Sequence, residues 1–452
     1  MEHIESHQMH IENRIGFHYF DDTVHFSDAD LKRWVIILKK LDAHWLHIRS
    51  STSRAIPENF IKGFRSEGIQ LLVDFHLDAG NPITLSELKP LIEVYGKWGI
   101  GYASIFKHGN LKKSWTIKDW ADPSIISKHA DRFIEFASLF IDCGIRPVYG
   151  PLFPGGQYPD LAFFENLSKQ LSEKVSHSLI NELIIGVYGW DFNKSLNWGV
   201  GGQNKWPKSS LLYVTEDQQN HQGFRAFDWY SEIIKKFFLR QLPVILFEVG
   251  YPGYQNQPMI EQSPNDFNKM DAIFQLLRKE NVFDPEHPEI LLEYIPDHVL
   301  TGFFHLISSQ GQQNAAYRWF SETGDPLLPA QAFFIRNPSM AKANKEKPKS
   351  DNQEIYKKPD FLFNRFVLID ENLKPDAPQI LEDLNPYLEK YQPNIGYSIK
   401  DAIKSAVILF VSPININYES TIEALRRNGS LVKHISPEKI PKFLQEDNHV
   451  SS

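Results

Sequence analysis

From Asn13 onward, short apolar runs alternate with longer stretches in which apolar residues return at helical spacing, the pattern of strands followed by amphipathic helices. The first unit reads as a strand over Arg14–Phe20, then a helix that Ser27-Asp28-Ala29-Asp30 caps ahead of Leu31, Trp34, Val35, Ile37 and Leu38. The second pairs a strand over Trp45–Ser50 with a helix opened by Pro57, and the third a strand over Ile69–His76 with a helix over Leu85–Tyr95. The fourth strand, Tyr102–Phe106, leads through a long loop to a helix over Ile125–Cys143. Strands over Arg146–Tyr149, Leu183–Tyr188, Leu242–Gly253 and Val299–Leu306 follow, the sixth trailing a long loop from Trp190 to about Gly223. Eight alternating units in about three hundred residues match a closed (β/α)₈ barrel with insertions. An open doubly wound sheet is the competitor, but no Gly-rich phosphate turn follows the first strand.

The expected fold class is therefore α/β: a (β/α)₈ TIM barrel over residues 13–335 after a flexible tail, 1–12. A polar, Lys-rich stretch follows, read as a linker over 336–360, and then a small α/β module over 361–452. In that module Phe361–Ile369, Ala406–Val411 and Leu431–Ile435 read as strands, and Ile422–Arg427 as a helix stopped by Asn428-Gly429. The module is too short to house a large active site.

The seventh run, Leu-Pro-Val-Ile-Leu-Phe-Glu-Val-Gly-Tyr-Pro-Gly, holds a single acid, Glu248. A carboxylate at the end of a buried parallel strand is costly without partners, so it is either paired with a cation at the sheet edge or placed for chemistry at the barrel mouth.

Composition narrows the partners. Net charge is −8 and no basic run is interleaved with aromatics, which argues against a nucleic-acid binder. A single cysteine, Cys143, excludes a disulfide framework and any Cys-based metal site. The amino terminus has neither a basic nor an apolar signal region, and no run suits membrane insertion, so the expectation is a cytoplasmic protein; a signal peptide already removed would leave the same chain. Ten Trp, 17 Tyr and 32 Phe fit a site that stacks on flat apolar faces such as sugar rings.

Here a resemblance enters. Phe247-Glu248-Val249-Gly250 resembles the segment where retaining glycoside hydrolases of the cellulase-like and xylosidase-like clan place their nucleophile. Lys107-His108-Gly109-Asn110, followed by Trp115, is similar to the fourth-strand segment that in this clan usually reads Asn-Glu-Pro-Asn, and Trp319–Ala330 resembles the segment closing such barrels. The resemblance covers roughly Asn13 to Phe334 and implies a barrel acting on a saccharide or glycoconjugate without a cofactor, with Glu248 as nucleophile and Asn110 beside the sugar. It also shows a departure: His108 stands at the acid/base position and Lys107 at that of the Asn. Retaining hydrolysis needs two carboxyl groups about 5–5.5 Å apart. A histidine can donate a proton, but a Lys-His pair opposes the positive charge that develops at the sugar.

Two readings stay open: an active O-glycosyl hydrolase, and an inactive barrel that binds carbohydrate or a protein partner. Asp74, Asp78 and Asp191 are alternative acids at strand ends, at a separation that would suit an inverting enzyme if about 6.5–9.5 Å from Glu248. A third reading, a metal-dependent hydrolase, draws on His18, His47, His76, His108 and His305 with Asp74 or Asp191, though no recognisable ligand spacing supports it. Polar rings such as His76 and His305 would equally line a sugar site, while His3, His7 and His10 belong to the tail. Trp190, Trp198 and Trp206 alternate with Asn193 and other amides, and with Trp115 they offer the ring faces and hydrogen-bonding groups a polyhydroxylated ligand needs. Arg49 is placed to hold Glu248 ionised.

Overall fold

A computed structural model describes residues 13–212, 219–250, 264–310, 318–338, 340, 363–391, 393–413, 418–427 and 430–449. They fall into two compact units, one within Met1–Glu346 and one within Lys347–Ser452. The expected tail, Tyr251–Gly253, Phe361, Asn428-Gly429 and most of the expected linker lie outside the described residues. The described start of that linker belongs with the first unit, since Arg336 ends a helix, Leu328–Arg336, and Met340 packs on the barrel core.

The first unit is a closed barrel of eight parallel strands in sequential order: β1 Ile15–His18, β2 Trp45–Arg49, β3 Gln70–Asp78, β4 Tyr102–Lys107, β5 Arg146–Tyr149, β6 Ile184–Trp190, β7 Val244–Gly250 and β8 Val299–Phe304. This is the (β/α)₈ fold that the alternation predicts. The local signals work as expected at Ser27, whose hydroxyl accepts from the Asp30 amide at 3.1 Å while the Asp30 carboxylate accepts from the Ser27 amide, a reciprocal cap. Pro57 sits one residue earlier than expected, as the N-cap of Glu58–Ser66.

Side-chain alternation separates two apolar layers. Ile15, Phe17, Leu46, Ile48, Leu71, Val73, Val244 and Leu246 face outward to the helices, whereas Trp45, Leu72, Val148, Ile184, Ile245, Phe247 and Phe303 fill the barrel interior. Gly186 on β6 makes room for this inner layer, because a Cβ there would lie 2.6 Å from the Phe247 ring. Trp319 packs edge-on against Phe17 at 5.0 Å, so the closing segment seals the outer layer.

Alternation fails at one place that matters. Val187 pairs with Leu246 but Tyr188 pairs with Glu248, so β7 spends one extra residue. With Phe247 inside, simple alternation would turn Glu248 toward the helices; instead Val249 joins the outer layer and Glu248 lines the mouth. A bulge of this kind bends the strand and re-aims a side chain. β3 likewise gains a residue on β4 between Asp74 and Leu77, with His76 at φ 52°.

The second unit is a four-stranded parallel sheet in the order β10-β9-β11-β12, with β9 Phe363–Ile369, β10 Asn394–Gly396, β11 Ser405–Val411 and β12 Leu431–Ile435. Val367, Ile369, Leu409 and Val411 feed one apolar cluster while Phe366, Leu368, Ile408 and Phe410 feed another, so both faces are covered. The short β10 was not anticipated from its sequence.

Candidate functional site

The carboxyl ends of the strands enclose a cavity of about 440 Å³, lined by residues that include His18, Asp21, His47, Arg49, Asp74, His76, Lys107, Pro151, Tyr188, Glu248 and His305. Every strand from β1 to β4, together with β6 and β7, contributes a lining residue, and the loops after β5 and β8 complete the rim. Strain gathers here too: His76 and Leu306, which line the cavity, and His108, Phe192 and Asn193 at neighbouring strand ends, all hold positive φ without being glycine.

Asp74 anchors one wall. Its Oδ2 accepts from His47 Nε2 at 3.2 Å and from His76 Nδ1 at 3.0 Å, while Oδ1 accepts from the His76 amide at 2.9 Å. Burial alone would raise its pKa, but these bonds hold the carboxyl well below the usual range. The Lys107 ammonium donates to His76 Nε2, which fixes the His76 proton on Nδ1, facing Asp74. Burial, only partly offset by Asp74, lowers the pKa of His76 and keeps the ring neutral. Burial also pushes Lys107 down to about 8, with Arg49 adding to the effect and Asp74 opposing it.

The opposite wall holds Glu248, 3% exposed. Its Oε1 lies 3.4 Å from His305 Nδ1, within ion-pair range, and has no hydrogen-bond partner among the described residues. Between the walls His18 donates from Nε2 to the Phe247 carbonyl, tying β1 to the bulge that aims Glu248. Burial, reinforced by His47 and His305, holds the His18 ring well below its ordinary pKa, so it stays neutral.

The cavity thus gathers Glu248, Asp74, Arg49, His76 and His305 from the sequence-predicted set. The other candidates lie elsewhere. His108 is buried with Nε2 2.7 Å from the Tyr188 hydroxyl, does not line the cavity, and is pushed down to about 3 by burial and then by Lys107. The ring is therefore neutral near pH 7, carrying a single ring proton, and its Nε2 is engaged with Tyr188 rather than facing the cavity. Asp191 accepts from the Asn193 amide at 2.7 Å, a turn within its own loop outside the cavity lining.

Asn110, fully buried, braces two loops: its Nδ2 donates to the Phe153 and Tyr158 carbonyls and its Oδ1 accepts from the Phe153 amide. Trp190 ends β6 inside the barrel, its ring stacked 4.1 Å from that of Tyr188. Trp198 and Trp206 pack on each other at 4.9 Å and donate to the Asn220 and Val200 carbonyls, so these aromatics tie down their own loop. Trp115 lines a second, more apolar cavity of about 650 Å³ with Leu111, Ile117 and Phe153.

Arg49 does not pair with Glu248 as expected. Its Nη1 donates to the Asp21 carbonyl at 2.6 Å. Sequence reasoning missed Asp21 and Tyr188, and placement at a strand's carboxyl end was the signal available for both. The histidines do not assemble a metal centre: among the described residues no three His, Cys, Asp or Glu side chains are disposed to hold an ion. No helix among the described residues is long and apolar enough to cross a membrane.

Comparison with protein-family models gave no match, and neither did comparison with curated proteins. Among solved structures the chain is similar to a monomeric β-xylosidase from Caulobacter crescentus CB15, at 10% identity and a TM-score of 0.45, covering 72% of this chain and 68% of that one. It is also similar to an endo-β-1,3-glucanase from Sorangium cellulosum, at 12% identity and 0.39, covering 71% and 97%. A fungal β-1,4-galactanase structure aligns at 12% identity and 0.42, covering 71% and 99%.

Proposed function

We propose that the barrel mouth handles a saccharide or glycoconjugate, and that Glu248 is the carboxylate that meets the anomeric carbon. The observation carrying this reading is the state of Glu248: buried at the end of a strand, aimed by a bulge into a cavity of ligand size, and with one oxygen left without a hydrogen bond among the described residues. A buried acceptor left unbonded costs about 1–3 kcal/mol, and such a cost persists where a ligand or reacting atom completes the shell. His305 at 3.4 Å and His18, through the Phe247 carbonyl, act as positioning residues.

The chemistry follows from what else faces the cavity. Attack by Glu248 on the anomeric carbon forms a glycosyl ester and expels the leaving oxygen, which in a retaining enzyme takes a proton from a second carboxyl. Asp74 is committed to His47 and His76, and His108 points to Tyr188. The proton-donor role is therefore weakly supplied, and turnover is expected mainly on glycosides whose leaving groups depart without protonation. The same observation favours a second reading, saccharide binding without hydrolysis.

Activated aryl glycosides test the first reading. Release of the phenol by the wild-type protein, reduced at least about a hundredfold in Glu248→Gln, supports it. Equal release by the two proteins removes Glu248 from the chemistry, and saccharide binding without any release leaves the binding reading.

A further inference from the structure

Departure of a leaving oxygen needs a proton, and hydrogen bonds at the mouth already commit most of those present. The Asp74 carboxyl is held ionised between His47 and His76. His18 gives its Nε2 proton to the Phe247 carbonyl, and the His76 proton sits on Nδ1, facing Asp74. A guanidinium such as that of Arg49 does not release its proton in a protein.

Lys107 differs from these. It ends β4 and lines the cavity, and an ammonium carries three N–H donors, of which one meets the His76 ring. Among the described residues His76 is its one hydrogen-bond partner, so two N–H groups remain for a ligand. β4 and β7 lie three strands apart in the ring of eight, which sets Lys107 and Glu248 on different sides of one cavity. The partner ring is itself fixed. His76 sits in the β3 irregularity between Asp74 and Leu77 at φ 52°, and its amide and Nδ1 donate to Asp74 at 2.9 and 3.0 Å. Backbone strain of this kind persists where the surroundings over-determine it, and it collects where a side chain is held ready for a ligand.

We propose that Lys107 is the proton donor of the mouth, delivering a proton from Nζ to the leaving oxygen while His76, anchored on Asp74, positions the ammonium; this rests on the reading of Glu248 as the attacking carboxylate. Glu248 bonds to the anomeric carbon, the bond from that carbon to the leaving oxygen breaks, and the departing oxygen takes the Lys107 proton. The products are a glycosyl ester, the released alcohol or phenol, and a neutral amine. Water then attacks the same carbon and gives a proton to the Lys107 amine, and the ester bond returns its electron pair to Glu248. Electrostatics favour this sequence. The lining holds the carboxylates Asp21, Asp74 and Glu248 against the cations Arg49 and Lys107. Proton transfer removes one of those cations as positive character grows at the anomeric carbon, so the charge that would oppose the reaction disappears with the step.

The groups facing Lys107 set a pH signature. Arg49 from β2, Asp74, His76 and Asp78 from β3, and His108 and Lys113 from its own segment surround the ammonium. Burial leads in bringing it down to about 8, opposed first by Asp74. The donor form is therefore present below about pH 8 and lost above it, whereas a carboxyl tuned for acid work loses its proton near about 6–7.

The test is the pH dependence of kcat/KM for phenyl and 2,4-dinitrophenyl glycosides of one sugar, measured on the full chain as wild type, Lys107→Met and His76→Gln. Phenoxide needs a proton to leave, and dinitrophenoxide hardly does. The expected wild-type result is a phenyl rate that falls above about pH 8 and a dinitrophenyl rate without that limb. Lys107→Met should lose at least about a hundredfold on the phenyl glycoside, and a factor at least about tenfold smaller on the dinitrophenyl one. His76→Gln should move the alkaline limb by about half a pH unit or more, which a purely structural role would not do. The wild-type comparison stands even where a variant folds poorly. Equal losses on both glycosides in Lys107→Met, or a phenyl limb well below pH 8, would overturn Lys107 as donor, the second outcome pointing to a carboxyl such as Asp21. Dinitrophenyl turnover that depends on Glu248 without any phenyl turnover would overturn the donor alone and leave the Glu248 reading in place. No turnover of either glycoside would overturn both.

Discussion

The barrel mouth and the long loop after β6 are both rich in groups suited to a sugar, yet they differ in what those groups have already spent. In the loop, the indole donors of Trp198 and Trp206 are bonded to loop carbonyls and their rings pack on each other, with Lys194 set over Trp198 at 4.5 Å. At the mouth, one oxygen of Glu248 lacks a hydrogen bond among the described residues, while Arg49 and Lys107 line the cavity bonded to the Asp21 carbonyl and the His76 ring. A residue type suited to a ligand says little on its own; the capacity it has left after folding decides whether it can meet one.

Breaking the anchor of the mouth should have the largest effect. Asp74→Ala leaves His47 and His76 without their shared acceptor in a buried site, and a loss of about 3–5 kcal/mol in urea unfolding is expected. The pH dependence of stability carries the same sign. The folded pKa of Asp74 is depressed, so its contribution is present above the unfolded value near ~4 and is lost as pH falls below it toward the folded value. A melting curve unmoved by the substitution would show that the histidines are held by other means.

A smaller and more selective change is Gly186→Ala. Its Cβ would meet the Phe247 ring at 2.6 Å and the Tyr149 carbonyl at 2.7 Å, so overpacking of about 1–3 kcal/mol is expected. Because Phe247 is the bulged neighbour of Glu248, affinity for the saccharide should fall along with stability. Thermal unfolding and binding of one probe sugar check the two effects together.

The smallest expected effect on the mouth comes from the loop. Trp198→Ala removes a half-buried ring and its bond to Asn220, with a stability loss of about 1–2 kcal/mol. Saccharide affinity should stay within about twofold of wild type, about 0.4 kcal/mol. A large loss of affinity with little loss of stability would place the loop in the ligand's path and reverse the contrast between the two regions.

How much of this was legible in the sequence differs by level. The barrel is written in a repeated alternation, which long, periodic segments carry redundantly, and Glu248 stands out as the lone charge of an apolar strand. Its direction was not legible. Alternation from Phe247 would send it outward, and a bulge visible only in the pairing of β6 with β7 turns it in. Arg49 reads as a partner for Glu248 because both sit at strand ends, but closing the barrel sets β2 and β7 in different parts of the rim, where Arg49 finds the Asp21 carbonyl instead. His108 occupies the position that the resemblance assigns to an acid, and only its three-dimensional neighbours, Tyr188 and Lys107, show a buried neutral ring. The bonding of the loop tryptophans was not legible for a related reason: composition reveals an indole donor but not the carbonyl that has already taken it.

The central claim, that Glu248 is the reactive carboxylate of a saccharide-handling mouth, is tested most directly by phenol release from a panel of activated aryl glycosides, uronides included, by the wild-type protein and by Glu248→Gln at matched folded concentration. Release by the wild type that falls at least about a hundredfold in the variant is the predicted result. Release that survives the substitution undiminished would contradict it and turn attention to the other acids of the mouth, Asp21 and Asp74.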